Sequence, residues 1–598
     1  MPQTSGLHTF HIPVMGLGYT VDTPLKVAKF GISSVVSIMD DFLLEDMRRI
    51  HSEKLNLPFS PIAETEEDAR AKRVQAYLDL LHTVIEAQMA ELKTENWDGE
   101  SSMDQLVALL PEESEVTRLF EQFRNTELSE KSILKSKILE LLRPGSIDVN
   151  IMTKVDKLNY DKEGNELSRE FSDALSALRG FAKSKLEAAV VFSAGMNPAL
   201  YSYAEQFQDF FPDENGKIKK RIILKVSDYR SALIQGKFLS KKGLWVSEFR
   251  IESGLNCGGH AFATDGFLAG PILEEFKTNR KELIETIRQT CNQGLGAKGQ
   301  ALLSETETIK ITYQGGIGTG AEDSFLRSYY QLDGTGWGSP FLLVPEATSV
   351  DEETIQKIIE AKRSDYFLSH ASPLGVPFNN LRTSSGEIQR QQRIDKGRPG
   401  SPCFKKFLTF STEVTDKPIC TASRQYQNLK SKAFHEGKVS QQEMTEILEK
   451  DCLCEGLSAP AILANGSAPR RNLNAVTICP GPNLAYFKSI FSLKEMVDHI
   501  YGKITLKLEN DRPHVFVKEA QLYVDYLKKE FQKLIPEATA KQEAYLEKFR
   551  NNLNIGLSYY QDLVDSIQMD SEEILKKMKA QLKELQAEIE SLRPVVSV

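Results

Sequence analysis

Short apolar runs recur along the first part of the chain and alternate with stretches whose apolar residues fall at helical spacing. The segment HTFHIPVMGLGY, residues 8–19, is apolar and broken by glycine, as suits a buried strand that runs into a tight loop. TPLKVAKFG then predicts a short helix with Thr23 as N-cap and Pro24 at the first helical position. SSVVSI, residues 33–38, is a β-branched run and a second strand. Strand, helix and strand in this order make one βαβ step, the unit of parallel sheets.

From residue 40 to about 142 the pattern changes to charged, helix-rich sequence. ARAKRVQAYLDLLHTVIEAQMAEL has the apolar spacing of a long amphipathic helix. The alternation resumes with strands predicted at residues 146–154, 188–195, 221–227, 244–253, 308–316 and 336–344. Eight strands with helices between most of them predict an α/β fold, a closed (β/α)8 TIM barrel rather than an open sheet. The barrel takes residues 8–39 and 144–365, with a helical insertion after the second strand, residues 40–143. Residues 366–500 read as an irregular segment packing on the barrel, and 501–598 as a helical C-terminal extension. In the extension Leu575, Met578, Leu582, Leu585, Ile589 and Leu592 follow a 3–4 spacing. That stripe suits a terminal helix packed on its own domain as well as a homodimer contact through the helical additions.

Composition narrows the function. A net charge of −9 repels nucleic acid, and no basic block is interleaved with aromatics. No apolar run approaches the roughly 20 residues that span a bilayer, so no membrane role is expected. The N-terminus lacks a basic segment followed by an apolar one, and seven cysteines in 598 residues make no disulfide framework. A cytoplasmic location follows as the expectation. Cys403, Cys420, Cys452, Cys454 and Cys479 fall in one irregular region, where a zinc or iron–sulfur site is one reading. Their uneven intervals and the lack of a paired C-x-x-C favour free or structural thiols and no metal.

The candidate chemistry sits at strand ends, where the reactive loops of a β/α barrel lie. These are Gly16-Leu17-Gly18, Asn150, Ser193-Ala194-Gly195, the stretch from Glu252 to His260, Gly315 to Gly318, and Gly334 to Ser339. Glycines there let a ligand approach the backbone, and two clusters after strands seven and eight fit a phosphate site. His260 follows Cys257-Gly258-Gly259 directly after a strand and should project into the barrel mouth, where an imidazole can move a proton near neutral pH. A histidine in that place serves equally well as a structural hydrogen-bonding residue.

Taken in order, these motifs resemble the nitronate monooxygenase family, also called 2-nitropropane dioxygenase-like, a group of FMN-dependent barrels. RIILKVSDYRSALI, VSEFRIESGLNCGGHAF, ITYQGGIGTGAEDSFL, GTGWGSPFLLVPEA and ASPLGVPFNNL each look like segments of that family. The resemblance implies bound FMN, with its phosphate against Gly315, Gly316, Gly338 and Ser339, and Asn150 and Gly195 beside the ring. It adds Gly16, Lys225, Glu252, Gly258 and Gly259 as cofactor-binding residues and His260 as the catalytic base. It implies a small-molecule nitronate, nitroalkane or similar carbanion as substrate and oxygen as electron acceptor. The first strand departs from the family's Gln-Gly-Gly-Met ending and reads Val14-Met15-Gly16-Leu17-Gly18. The long insertion and the tail mark a divergent member. Two other functions fit the same barrel: an FMN-dependent enoyl-thioester reductase using NAD(P)H, and a non-catalytic flavin-binding scaffold.

Overall fold

A computed structural model of the chain describes residues 6–193, 195–261, 265–509, 511–533, 539–567 and 570–592. Ala194 and residues 262–264, inside two of the strand-end motifs, lie outside the described residues. Eight parallel strands close into a barrel in sequence order: β1 (Phe10–Ile12), β2 (Ser33–Ser37), β3 (Ile147–Met152), β4 (Ala188–Ser193), β5 (Lys220–Val226), β6 (Val246–Glu252), β7 (Lys310–Gln314) and β8 (Gly334–Gly336). Closure is made by β1 on β8, where Phe10 lies opposite Thr335 and His11 opposite Gly336. This is the (β/α)8 fold the spacing predicts.

Three expectations are corrected. The eighth strand ends at Gly336, and Ser339–Leu343 forms a 3-10 turn instead of continuing it. Pro340 near the start of that turn has no N–H to give to a strand ladder. The first helix, Thr23–Val27, is preceded by Asp22 at its N-cap, because the Thr23 hydroxyl donates to the Ala347 carbonyl at 2.7 Å. Residues 366–500 also carry regular structure: a two-stranded antiparallel sheet, β9 (Tyr366–Ser369) with β10 (Phe378–Leu381), and helices such as Arg424–His435 and Gln441–Glu449.

The predicted long helix of the insertion is present as Ala69–Thr94. It packs on both the helix Thr23–Val27 and the helix Asp173–Lys183, the helices that follow β1 and β3. It therefore stands where the second βα unit needs its helix. Gly180 permits this packing, since a Cβ there would lie 2.5 Å from the Ala71 carbonyl oxygen.

Side chains alternate along the strands between the helices and the barrel interior. The interior divides in two. Val35, Ala189, Val191 and Ile223 form an apolar cluster on β2, β4 and β5. The other side is charged. Arg250 on β6 donates to Glu248 at 2.8 Å and to Asp148 on β3 at 3.1 Å, and the Thr312 hydroxyl donates to Glu248 at 2.6 Å. Burial opposes ionisation of Glu248, but Arg250 overcomes it and holds the carboxyl at about 2. This paired cluster fills the bottom of the barrel and leaves the mouth to the next layer of side chains.

The C-terminal extension is three helices, Val515–Lys533, Ala540–Ser566 and Glu572–Ser591, packed on one another and on the helix Ala269–Ala297. Met578, Leu582, Leu585 and Ile589 of the 3–4 stripe are buried within the chain. Among the described residues no helix is long and apolar enough to cross a membrane.

One buried carboxylate joins the extension to the barrel. Glu519 accepts the Ala269 amide with both oxygens, at 2.9 and 3.1 Å, and the Tyr560 hydroxyl at 2.8 Å. It thus caps a barrel helix from another domain. Burial raises its carboxyl to about 7, against the pull of the Ala269 amide and the Tyr560 and Ser253 hydroxyls. The folded chain therefore holds the proton more tightly than the unfolded one. Its contribution is complete below the ordinary carboxylate value and is lost as pH rises through about 7. Glu519→Gln should abolish a fall in stability on the order of 3 kcal/mol between pH 5 and 8. Chemical denaturation across that range checks this, and an unchanged pH slope in the variant would refute it.

Candidate active site

The C-terminal ends of the strands open into a cavity of about 1060 Å³, counting its solvent-open part. Seven of the residues given a cofactor-binding or catalytic role from the sequence line it: Gly16, Asn150, Lys225, Glu252, Gly258, Gly259 and His260. Strand alternation delivers the middle three. Asn150 on β3, Lys225 on β5 and Glu252 on β6 stand one layer above the charged cluster.

Lys225 Nζ pairs with Glu252 Oε2 at 2.7 Å. The other oxygen, Glu252 Oε1, accepts from Gln314 Nε2 at 2.6 Å. Gln314 Oε1 then takes the His11 Nε2 proton at 3.2 Å, which fixes the His11 tautomer. A hydrogen-bonded row thus runs from the barrel centre to the mouth and holds Glu252 in place. Asn150 is different. It is 7% exposed, and its Oδ1 is buried with no hydrogen-bond partner among the described residues. An orphaned amide oxygen in a barrel mouth is a place where a ligand donor belongs.

His260 is held by the segment after the barrel. The Ala261 amide donates to the Pro377 carbonyl at 2.8 Å and the Asn379 amide to the Gly259 carbonyl at 2.9 Å. Phe378 of β10 meets the imidazole edge-on, with ring centroids 5.2 Å apart. His260 Nε2 lies 2.6 Å from Ser372 Oγ, and Ser372 is fully buried. When the ring donates Nε2–H to Ser372, Nδ1 carries the basic lone pair. Burial lowers the imidazole to about 4, helped by the charges of Lys225 and Lys154. His260 is therefore neutral, and able to accept a proton, over the whole physiological range.

The loop backbone needs glycine at Gly258. Its φ is +125°, and a Cβ would lie 2.2 Å from the Cys479 carbonyl oxygen. Asn256 braces the loop from inside, donating to the His260 carbonyl and accepting the Gly258 amide at 3.2 Å and the Asn379 amide side chain at 3.0 Å.

The expected phosphate residues are placed elsewhere. Gly315 and Gly316 lie against Leu255, and Gly338 lies against Cys257, where a Cβ would be 2.5 Å from the cysteine Cβ. Ser339 faces Gly481. The β6 loop thus lies over both glycine clusters, and none of these four residues lines the cavity. Gly195 is not among the lining residues either; its carbonyl accepts the Thr153 hydroxyl at 2.7 Å.

Sequence reasoning missed Ser372 and the cavity roof, and gave Asn256 no role of its own within the stretch from Glu252 to His260. Phe407, Leu408, Leu453, Cys454 and Leu457 from the post-barrel segment line the same cavity as its apolar roof. Lys405 pins this roof, pairing with Asp40 Oδ2 at 2.7 Å just after β2 and donating to Ser458 Oγ at 2.6 Å. Ser372 lies in ASPLGVP, a segment singled out for its resemblance alone, and the roof residues are apolar positions in sequence without periodicity.

No family model matches the chain, and no curated protein matches it. Two solved structures align with most of it. The enoyl reductase domain of MlnA from the macrolactin biosynthesis cluster of Bacillus amyloliquefaciens shares 14% identity, covers 72% of this chain and 87% of its own, and gives a TM-score of 0.32. Nitroalkane oxidase from Streptomyces ansochromogenes shares 8% identity, covers 83% of this chain and 94% of its own, and gives a TM-score of 0.32. Similarity at this level leaves function to be read from the residues of the site.

Proposed function

We propose that the chain is an FMN-dependent oxidoreductase of the nitronate monooxygenase type, acting on a nitronate, a nitroalkane or a similar carbanion, with oxygen as electron acceptor. The observation that carries this reading is the meeting, in one barrel-mouth cavity, of a neutral buried imidazole and the orphaned Asn150 oxygen. A base and an unpaired acceptor at the C-terminal face are what proton abstraction beside a bound planar donor requires.

The residues present fit the ring of FMN. Asn150, Gly16, Gly195, Lys225, Glu252 and the loop glycines Gly258 and Gly259 would hold it, and the unpartnered Asn150 oxygen would accept from a donor on it. For Gly315, Gly316, Gly338 and Ser339 to reach a phosphate, Leu255 and Cys257 must move off them. Bound flavin supplies the electron sink and the route to oxygen.

The chain's own groups do the rest. His260 takes the acidic proton from carbon. Lys225, two strands from Asn150, offsets negative charge on the substrate, and that same charge relieves the lowering of the His260 imidazole. Phe407, Leu408, Leu453 and Leu457 give the same cavity an apolar wall, which lowers the dielectric around these charges.

An enoyl-thioester reductase uses the same barrel, and the apolar roof is what an acyl chain would meet. Anaerobic mixing separates the two. Purified protein should carry flavin absorption that bleaches with a nitronate and survives NADPH alone. Bleaching by NADPH alone would favour the reductase, and a colourless chain that cannot be reconstituted with FMN would overturn both readings.

A further inference from the structure

The chain that carries His260 runs from the end of β6 to the helix Ala269–Ala297, and the C-terminal extension fastens it on both sides of the histidine. Before His260, the Gly254 amide donates to the Tyr523 hydroxyl at 3.0 Å. After it, Asn552 Nδ2 donates to the Asp265 carbonyl at 2.8 Å. Farther on, the Ala269 amide donates to Glu519, and the Gly270 amide donates to the Tyr560 hydroxyl at 3.0 Å. The helices Val515–Lys533 and Ala540–Ser566 supply all four side chains, and Tyr523, Glu519 and Tyr560 are buried.

The loop backbone is shaped to these contacts. A Cβ at Gly254 would lie 2.5 Å from Tyr523 Cε1, and one at Gly266 would lie 2.4 Å from the Phe549 carbonyl oxygen. Asp265 and Gly266 both take left-handed φ, +46° and +85°, which is costly for the aspartate, so the carbonyl that Asn552 holds belongs to a strained turn. The rings of Tyr523 and Phe549 meet edge-on with centroids 5.9 Å apart, so both tethers rise from one apolar base. Two residues past Gly254, Asn256 donates to the His260 carbonyl. A continuous line of hydrogen bonds and backbone thus runs from Tyr523 through Gly254 and Asn256 to His260. None of the four extension side chains lines the cavity. Ser372 and Phe378 hold the imidazole itself, and the extension holds the chain that delivers it.

We propose that Tyr523 and Asn552 are positioning residues for His260, and that the C-terminal extension serves the chemistry by fixing the loop that delivers the base. The inference rests on the proposed role of His260. Both tethers act on main-chain groups, so they set where the loop lies without touching substrate or cofactor. A base must be held near the carbon it deprotonates, and a misplacement on the order of 1 Å can cost about 10²-fold in rate. Glu519 and Tyr560 act at the start of the following helix, one step farther from the base.

In the full chain, Tyr523→Phe keeps the ring against Gly254 and removes the hydroxyl, and Asn552→Ala removes the second tether. The double variant should lose about 10²-fold in kcat on a neutral nitroalkane, with KM within about twofold of wild type, and far less on the preformed nitronate. A second readout needs no turnover. NMR follows the His260 imidazole, identified among the chain's nine histidines by its absence in His260→Ala. Burial lowers it to about 4 in the wild type, and in the double variant it should titrate nearer the ordinary histidine value, because a loosened loop admits water. Tyr523→Phe alone should show part of this shift. Met578→Ala, on the helix Glu572–Ser591 that packs on the other two extension helices, should lower stability and leave the titration in place. An unchanged His260 titration in the double variant would overturn the inference. So would an equal shift in Met578→Ala, since general loosening would then be the cause. A shifted titration in a chain that turns over no nitroalkane would sustain the positioning role and remove the proposed reaction.

Discussion

Replacement of His260 by alanine should leave FMN binding intact and lower turnover of a neutral nitroalkane by about 10²–10⁴-fold. The imidazole edge meets Phe378 and its Nε2 meets Ser372, and neither contact supports a strand of the barrel. Loss of the ring therefore removes the base without unmaking the cavity. The loss should shrink when the substrate is supplied as the preformed nitronate, since its proton is already gone. The pH profile tests the same assignment independently. With the imidazole lowered to about 4, wild-type kcat/KM should stay level through neutrality and fall only as pH approaches that value. Proton uptake makes His260 cationic there, and a cation cannot act as base. Unchanged turnover in the variant would remove His260 from the chemistry. An acid limb near the ordinary histidine value would show that burial and the two lysines do not govern it.

The second large effect lies outside the cavity. Arg512→Met should destabilise the chain by about 3–5 kcal/mol, because it strands a buried carboxylate. Arg512 grips Glu322 with two hydrogen bonds, both 2.8 Å, and also donates to the Gly316 carbonyl at 3.0 Å and to Asn483 Oδ1 at 2.8 Å. Glu322 is 1% exposed and also accepts the Gly318 and Val515 amides, each at 2.8 Å. Burial pushes its carboxyl up, yet Arg512, His514 and the Gly318 amide hold it below the ordinary value. Without the guanidinium that balance fails. Adding Glu322→Gln to Arg512→Met should recover more than half of the loss, since a neutral amide needs no countercharge. Denaturant unfolding of the single and double variants measures both. Equal destabilisation in the two would show that the cost is lost packing and not an unpaired charge.

Arg512 also explains part of what the glycine motif concealed. GGIG after the seventh strand predicts an open, amide-lined turn. In the fold, Gly318 packs against the Arg512 guanidinium, with a Cβ position 2.5 Å from it, and Leu255 covers Gly315 and Gly316. The motif reports that the backbone is approached closely, but it does not say by what. A neighbouring loop and a distant arginine meet the same steric requirement as a ligand.

The barrel itself was legible because it rests on local order. Each strand is a short apolar run between helical stretches, and a right-handed βα step repeated eight times leaves closure as the compact outcome. Strand ends were enough to single out Asn150 and the stretch from Glu252 to His260, and the family resemblance added Lys225. Local order also misled at the eighth strand, where PFLLV is apolar enough for a strand but forms a 3-10 turn after Pro340.

Other features were decided by tertiary structure alone. Ser372 meets His260 across 112 residues, and Lys405 meets Asp40 across 365. The insertion's long helix serves as a barrel helix because it fits between its neighbours, and its own periodicity says only that one face is apolar. Periodicity records which face of an element is buried. What covers that face depends on contacts between segments far apart in sequence, and in this protein those contacts set the base's partner and the cavity roof.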